Sequence, residues 1–442
     1  MRKKRYIFLG FAVTFFSIAL LSQNQLFAKS SSDLNISRLE SLTKFTKVVN
    51  SIEKYYVDEL TLDAIVDKAI EGMLTNLDAH SSFLTQKKYK ELKIQTEGEF
   101  GGLGITVGIK DGALTVIAPI EGTPADKAGL KSGDIILKIN EQSTLNMTID
   151  EAVNIMRGKP KTKINLTVVR KNERKPLDFS IVRDIIKVNS VYTKDIEKHD
   201  DMLYVRVTSF DKNVVEKVKE SIDKSKNRVK GIILDLRNNP GGLLDQAIGL
   251  CDLFISDGVI VSQKGRNKEE NREYKATPFD TYEDLSIVVL VNDGSASASE
   301  IVSGALQDHK RAVVVGEKTF GKGSVQVIMP VGDDEALRLT IARYYLPSGR
   351  TIQAEGVTPD IIVEPGEVPK SDDKFSIKEA ELKKHLEAEL EKIDDVDNNK
   401  SKKASDNITA DNSKTITQKD IYTDIQLKSA IDILKSIILL QN

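Results

Sequence analysis

Cysteine and histidine are scarce in this sequence. Its 442 residues include one cysteine, Cys251, which excludes an intrachain disulfide and a thiolate metal cluster. The four histidines are widely scattered: His80, His199, His309 and His385. None of them has the spacing of a His-x-x-x-His metal site. Hydrolytic chemistry must therefore use other side chains, and we expect neither a metal nor a cofactor.

The chain also has no surplus of charge. Lys and Arg total 64 and Asp and Glu total 66, which gives a formal net charge of −2. Nucleic acid is therefore not an expected partner, because its binding proteins carry a basic surplus. Hydrophobic residues make up 40% and charged residues 29%. This balance indicates about three globular domains rather than a multi-span membrane protein.

The first 28 residues have the parts of an export signal. Basic residues occupy positions 2–5, and an uncharged, mostly apolar run of 15 residues extends from Ile7 to Leu21. This run is short for a bilayer span of about 20 residues, and Ala28 offers a small residue before a cleavage point. We expect an exported protein, periplasmic or anchored to the outer face of the inner membrane. An uncleaved N-terminal anchor is the alternative to a signal peptide.

Residues 33–95 have the periodicity of a helical arm. Apolar residues recur there at three- and four-residue spacing: Leu39, Leu42, Phe45, Val48, Val49 and Ile52. A second helical stretch runs from Leu62 to Leu77. The pattern favours a helical cap or a dimerisation arm.

Residues 96–185 change to glycine pairs and alternating β-branched residues, interrupted by two short helices. Thr148 and Glu151 form a capping-box pattern at the start of the second helix. A glycine-rich loop opens this segment, with the residues Gly102, Leu103, Gly104 and Ile105. Consecutive N–H groups in such a loop form a nest for an anion. A glycine-rich turn without a ligand is the alternative.

The order of these strands and helices resembles a PDZ domain, as does the segment 128–140, which reads Ala-Gly-Leu and then Gly-Asp-Ile-Ile-Leu-Lys-Ile-Asn. The resemblance implies that a peptide with a free C-terminal carboxylate adds as a strand to the edge of the domain. An apolar pocket would receive the last side chain of that peptide.

Residues 186–370 repeat a strand–turn–helix pattern, which predicts a mostly parallel sheet with function at the carboxyl ends of its strands. The segment 371–442 is highly charged. Its part from 394 to 416 is rich in Asp, Asn, Ser and Lys, which predicts disorder. An amphipathic helix from about Asp424 to Leu440 is expected to dock on a core or on a partner chain.

Three turns of the α/β domain contain the residues best suited to chemistry. They are Asn-Asn-Pro-Gly-Gly at 238–242, Gly-Ser-Ala-Ser-Ala-Ser-Glu at 294–300, and a lysine flanked by glycines at 321–323. Small residues let a substrate approach the backbone, and N–H groups at a helix start are available to hold an oxyanion. Helix capping, or a solvated hairpin tip, would explain each turn taken alone.

Taken in order, these features resemble the carboxy-terminal processing (tail-specific) serine proteases. The segment 344–350 and the pair Pro359-Asp360 match the closing strands of that family. The resemblance covers about residues 35–370. It implies a multidomain α+β protein with a helical N-terminal arm, a PDZ domain and an α/β protease core of the ClpP/crotonase-like type.

The resemblance also implies the site residues. They are Ser297, Lys322 and Gln326 for catalysis, and Ala298 with Gly241 or Gly242 for the oxyanion hole. Ser297 is the nucleophile, Lys322 is its base, and Gln326 holds the lysine amine. Ala354 stands where the family usually has a glycine. We expect this departure to lie away from the Ser297/Lys322 pair.

A lysine acts as a base only when it is neutral, and its ordinary pKa is about 10.4. Burial without a carboxylate partner lowers such a pKa. Lys322 would then accept the proton of Ser297 and later protonate the leaving amine. A trypsin-like protease with a PDZ domain is excluded, because it needs His before Asp before Ser and a PDZ domain after the catalytic part.

Two function classes remain. One is an exported serine endopeptidase that recognises C-terminal tails through its PDZ domain and cleaves with a Ser/Lys dyad. The other is a non-catalytic PDZ-containing binding protein or chaperone on the same scaffold. The intact Ser297, Lys322 and Gln326 favour the enzyme. Expected partners are proteins or peptides with free, apolar C-terminal tails, a second copy through the arm and the C-terminal helix, and an adaptor protein.

Overall fold

The computed structural model describes residues 37–225, 228–332, 334–369 and 414–441. The chain divides into two units. One contains the residues up to Leu84 together with Ile328–Leu339, and the other contains Thr85–Val327 and the residues from Thr340 onward. The expected export signal lies outside the described residues. Within the described residues, no helix has the length and apolarity that crossing a membrane requires.

The first unit begins with two helices, α1 at residues 37–55 and α2 at Leu62–Thr75. The apolar stripe of α1 is largely exposed: Leu39 and Leu42 are 67% and 64% accessible. Strand β1, Ser82–Leu84, pairs antiparallel with the first residues of a later strand, Ala336–Tyr345. The predicted helices are therefore present, but among the described residues few cover the apolar face of α1.

The PDZ part of the second unit consists of short antiparallel strands and three helices. Its elements are α3 Gln86–Glu97, β2 Glu99–Gly102, β3 Ile105–Lys110, β4 Ala113–Pro119, α4 Pro124–Lys127, β5 Ile135–Ile139, β6 Gln142–Ser143, α5 Ile149–Met156, β7 Lys163–Val169, β8 Leu177–Val182 and β9 Asp184–Lys187. The main strand order is β3-β4-β5-β7-β8, so β3 is an edge strand. Thr148 and Glu151 form the predicted capping box at the start of α5.

The remaining elements of the second unit form the α/β part. They are β10 Val191–Ile196, β11 Met202–Val207, α6 Val214–Ser225, β12 Gly231–Asp235, α7 Leu244–Asp252, β13 Val259–Gly265, a 3₁₀ turn Lys268–Glu270, β14 Arg272–Lys275, β15 Ser286–Val291, α8 Ala298–Asp308, β16 Val313–Gly316, β17 Ser324–Pro330, β18 Ala336–Tyr345, β19 Ile361–Ile362, β20 Thr415–Ile416, α9 Gln418–Thr423 and α10 Ile425–Gln441. Strands β17 and β18 continue into the first unit.

The central sheet has the order β19-β16-β15-β12-β11-β10-β20, and β10 is antiparallel to β11. Five strands of this sheet are parallel to one another: β11, β12, β15, β16 and β19. Every residue of β12 and β15 is buried, as expected for parallel strands covered on both faces. Helices α6, α7 and α8 contribute to the core on one face, and α10 packs on the other.

The C-terminal residues belong to this core. Thr415 and Ile416, the last residues of the stretch predicted to be disordered, instead form β20 and pair with β10. The rest of that stretch lies outside the described residues. The predicted terminal helix docks on its own sheet, where Leu434 is fully buried.

Candidate active site

The three turns singled out in the sequence follow neighbouring parallel strands. Residues 238–242 follow β12, residues 294–300 follow β15, and residues 321–323 follow β16. These three strands are adjacent in the sheet, so their carboxyl ends meet at one edge. The sheet order therefore brings the turns together, as the strand–turn–helix pattern predicts.

Only one of the three serines in the second turn is accessible. Ser295 and Ser299 are fully buried, and their hydroxyls donate to the carbonyls of Leu236 and Asn239 at 2.8 and 2.9 Å. Ser297 is half-buried at the start of α8, with φ 55° and ψ −110°. This backbone conformation is strained for a residue other than glycine, and such strain concentrates at functional sites. The geometry therefore singles out Ser297 from its neighbours.

Glu300 joins the serine turn to the lysine loop. Its buried carboxylate accepts the N–H groups of Ser297 and Lys322 on one oxygen, at 2.8 and 2.9 Å. The other oxygen accepts the Thr319 hydroxyl and the Gly321 N–H, at 2.6 and 2.7 Å. Two backbone nitrogens, from the expected nucleophile and from its expected base, thus lie against a single oxygen atom.

Sequence reasoning did not assign Glu300, although its place three residues after Ser297 is the capping-box position. It also expected no carboxylate near the lysine. The structure instead places the Glu300 carboxylate against the Lys322 main chain. Four donors share that negative charge, so it is already strongly hydrogen-bonded within the protein.

Gln326 lies on β17, four residues beyond Lys322 in the chain. Its amide Nε2 donates to the hydroxyls of Ser324, at 2.8 Å, and Thr340, at 3.4 Å. Lys322 is half-buried. The assignment of Gln326 to the lysine amine stays a prediction.

The glycine turn lies directly against the nucleophile. A Cβ placed on Gly241 would lie 2.9 Å from Ser297 Cβ and 3.0 Å from Ala298 N, and the φ of Gly241 is +101°. Only glycine fits this position. The Gly241 N–H donates to Asn239 Oδ1 at 2.9 Å. Of the two glycines expected as oxyanion donors, Gly242 is thus the one whose N–H makes no hydrogen bond within the described part of the chain.

Asn239 ties this turn to the serine turn. Its carbonyl accepts the Ala296 N–H at 3.0 Å and the Ser299 hydroxyl at 2.9 Å. Its side chain is fully buried and donates to the Val207 carbonyl at 2.8 Å. The expected oxyanion turn and the nucleophile therefore form one hydrogen-bonded structure.

Ala354 is close to the lysine loop, so the expectation that it lies away from the pair is wrong. Its N–H donates to the Gly321 carbonyl at 2.8 Å, and its φ is +62°. The chain folds back after β18, which brings two segments that are distant in sequence together. Alanine in this left-handed conformation is strained beside the residue that precedes Lys322.

His309 caps the far end of α8. One ring nitrogen lies 2.8 Å from the Val259 carbonyl, while Ser297 lies at the other end of this 11-residue helix. His309 therefore cannot act as the base for Ser297. Among residues 37–225, 228–332, 334–369 and 414–441, no three His, Cys, Asp or Glu side chains are grouped as metal ligands.

A second candidate site lies in the PDZ part, in a groove between edge strand β3 and helix α5. This groove has a volume of about 160 Å³, and its lining includes the four loop residues predicted from the sequence: Gly102, Leu103, Gly104 and Ile105. Ile149, Val153 and Met156 of α5 give its other wall an apolar surface. The Gly104 carbonyl accepts the Ile120 N–H at 2.8 Å, which fixes the loop.

Comparison with known proteins identifies the two parts of the chain. The profile of peptidase family S41 matches residues 201–363, and a PDZ-domain profile matches residues 115–170. The chain is 41% identical over 403 residues to a carboxy-terminal-processing protease of Bartonella bacilliformis, covering 90% of this chain and 88% of that protein. It is 37% identical over 329 residues to the carboxy-terminal processing protease CtpA of Bacillus subtilis, covering 73% and 68%.

Among solved structures, a photosystem II D1 C-terminal processing protease aligns with 74% of this chain and 93% of its own, at 26% identity and a TM-score of 0.43. The similarity to the Bartonella protein extends over most of both chains, and it confirms the resemblance drawn from the motifs. The protein therefore belongs to the carboxy-terminal-processing proteases of peptidase family S41, which are serine peptidases, and it carries a PDZ domain.

Proposed function

We propose that this protein is an exported endopeptidase that captures the free C-terminal tail of a protein substrate in its PDZ groove and cleaves it with a Ser297/Lys322 dyad. One observation carries the proposal. The N–H groups of Ser297 and Lys322 both donate to Glu300 Oε2, which fixes the two backbones beside each other. The strained conformation of Ser297 supports its role as nucleophile.

The chemistry follows from this arrangement. Neutral Lys322 Nζ accepts the proton of Ser297 Oγ, and the oxygen attacks the scissile carbonyl. The N–H groups of Ala298 and Gly242 hold the resulting oxyanion. Lys322 then donates its proton to the leaving amine. Water finally hydrolyses the acyl-enzyme and regenerates the serine.

The PDZ groove supports tail recognition. Within the part of the chain that the structure describes, β3 is an edge strand and can pair with an added strand, and the groove lining is largely apolar. A tail ending in an apolar residue suits that lining. We expect it to bind better than a tail ending in a charged residue, because burial of an unpaired charge is unfavourable.

The deciding experiment compares two unfolded reporter proteins, one with an apolar C-terminal tail and one with a charged tail. Wild type and Ser297→Ala are tested side by side for cleavage and for tail binding. We expect tail-dependent cleavage by wild type, and binding without cleavage by the variant. Binding without cleavage by both proteins would instead support the non-catalytic binding protein, or an enzyme that requires an adaptor.

Two further parts of the proposal concern location and assembly. The basic and apolar residues before position 28 support export, which fractionation of expressing cells tests. The exposed apolar stripe of α1 supports self-association through the arm. Light scattering on the purified protein measures this directly, and the monomer mass would contradict it. The C-terminal helix is less suited to that role, because its apolar face is already buried on its own sheet.

A further inference from the structure

Two polar side chains of the C-terminal segment lie at the carboxyl end of β12. Asp424 immediately precedes α10, and Gln426 lies in the first turn of that helix. Both accept hydrogen bonds from Nη1 of Arg237. The distances are 3.0 Å to Asp424 Oδ1 and 3.0 Å to Gln426 Oε1. Residues almost at the end of the described chain therefore contact the residue that precedes the glycine turn.

The Arg237 guanidinium is held on its other side by Asp235. Nε and Nη2 donate to the fully buried Asp235 carboxylate, the latter at 2.7 Å. Burial acts to lower the pKa of Arg237, but the contacts with Asp235 and Asp424 outweigh it and raise that pKa. The side chain thus stays charged and is clamped between β12 and α10.

Arg237 is joined through the main chain to the turn that contacts the nucleophile. Arg237 is followed directly by turn 238–242, in which Asn239 accepts the Ala296 N–H and Gly241 lies against Ser297. The next residues cannot shift without breaking these contacts. The contacts of Arg237 are a second constraint on the same turn, and their loss would leave the expected oxyanion turn less firmly placed relative to Ser297.

We propose that Asp424 and Gln426 are positioning residues for the active site. Through Arg237 they fix the position of turn 238–242 relative to Ser297. The C-terminal segment therefore supports the active site as well as the core. The inference rests on the proposed function, because it takes Ser297 as the nucleophile.

The test must separate positioning from helix capping, because Asp424 Oδ1 also accepts the Leu427 N–H at 3.0 Å. Asp424→Ser keeps a cap acceptor but is too short to reach Arg237. Asp424→Asn keeps the cap and removes the charge. Gln426→Met keeps a good helix former and removes the second acceptor, together with the Nε2–H that donates to the Val363 carbonyl at 2.8 Å. Asp432→Asn is the matched control, because Asp432 lies on the same helix and pairs with the partly exposed Lys428.

The readouts are kcat and KM on the apolar-tailed reporter, with the thermal midpoint of each variant. We expect Asp424→Ser to lower kcat roughly ten-fold and Asp424→Asn and Gln426→Met to lower it less. KM should stay at the wild-type value in all three variants and the thermal midpoint in the two Asp424 variants, whereas Gln426→Met also loses a partly buried hydrogen bond and should unfold at a lower temperature. All parameters should stay at wild-type values in Asp432→Asn.

Two results would overturn the inference: an unchanged kcat in Asp424→Ser, or a kcat that falls only in step with the thermal midpoint in all three variants. Ser297→Ala is measured in the same series. Its loss of cleavage reports on the proposed function independently of the result at Asp424.

Discussion

At the scale of single residues, Glu300 makes the hydrogen bonds that join the two halves of the expected dyad. A fully buried carboxylate would destabilise the fold if it were unpaired, but here both oxygens accept two donors each. Its four partners come from the serine turn and the lysine loop, so its role is to set the distance between those two segments.

Glu300→Gln tests that role. The amide group would turn an N–H toward groups that are themselves donors, and at least one buried N–H would lose its acceptor. We expect the free energy of unfolding to fall by about 2–4 kcal/mol and tail-reporter cleavage to fall strongly. Urea unfolding and reporter cleavage measure the two effects. Wild-type stability together with wild-type cleavage would contradict the assignment of Glu300 as the link.

Asp134 gives a pH prediction at the same scale. It is fully buried in the PDZ part, and its carboxylate accepts Arg170 Nε at 2.7 Å and Nη2 at 2.8 Å. Burial acts to raise the pKa of Asp134, but Arg170 and the Lys131 N–H outweigh it and hold that pKa below its ordinary value of 3.8. The stability it contributes is therefore present above the unfolded pKa and is lost as the pH falls through the folded one.

We accordingly expect the unfolding free energy of the PDZ part to decrease as the pH falls below about 4. Asp134→Asn should be less stable than wild type at neutral pH and should lose this part of the acid dependence. Urea unfolding at about pH 7 and about pH 3, on either side of the carboxyl titration, measures both proteins. Equal losses between the two pH values in wild type and variant would show that Asp134 does not contribute to the acid dependence.

At the scale of elements, the PDZ loop depends on one glycine. Gly104 has φ +77°, and a Cβ there would lie 2.3 Å from Thr123 Cβ. The same loop lines the groove beside β3. Its displacement would move the backbone N–H groups that are expected to bind the tail carboxylate.

Gly104→Ala should therefore weaken tail binding by about ten-fold or more, the free-energy scale of a lost charge-assisted hydrogen bond. Gly112→Ala is the matched control, since Gly112 has φ +78° in the same domain and a Cβ added there would meet no atom within 4 Å. Fluorescence anisotropy with a labelled apolar-tailed peptide gives both affinities. Equal weakening in the two variants would mean that backbone strain, and not the clash at the loop, is responsible.

At the scale of the whole molecule, the C-terminal helix completes the core of the α/β part. Leu434 is fully buried among residues of β12, β15 and β16, whereas Leu439 on the same helix is 66% exposed. We expect Leu434→Ala to lower the unfolding free energy by about 2–5 kcal/mol and Leu439→Ala to change it by less than about 0.5 kcal/mol. Urea unfolding compares them, and similar losses would argue against a docked helix.

The fold and the site differ in how far the sequence predicted them. Periodicity predicted the helices of the arm, the buried strands and the capping box at Thr148, because each depends on residues close in the chain. Glu300 was missed because a glutamate in a capping position normally serves only its helix. Ala354 was misplaced because its contact with Gly321 depends on a long return of the chain.

The sequence by itself determined the order of the parts, the three turns with their small residues, and the family to which the chain belongs. These features are encoded in local spacing and in motif order. Only the tertiary structure decided which serine of the run is accessible, which carboxylate joins the two expected catalytic loops, and where the C-terminal helix docks. Each of those depends on contacts between segments far apart in the chain. The order of the strands in the sheet brings the catalytic turns together, and packing on one face of that sheet places the C-terminal helix. No local pattern in the sequence encodes either.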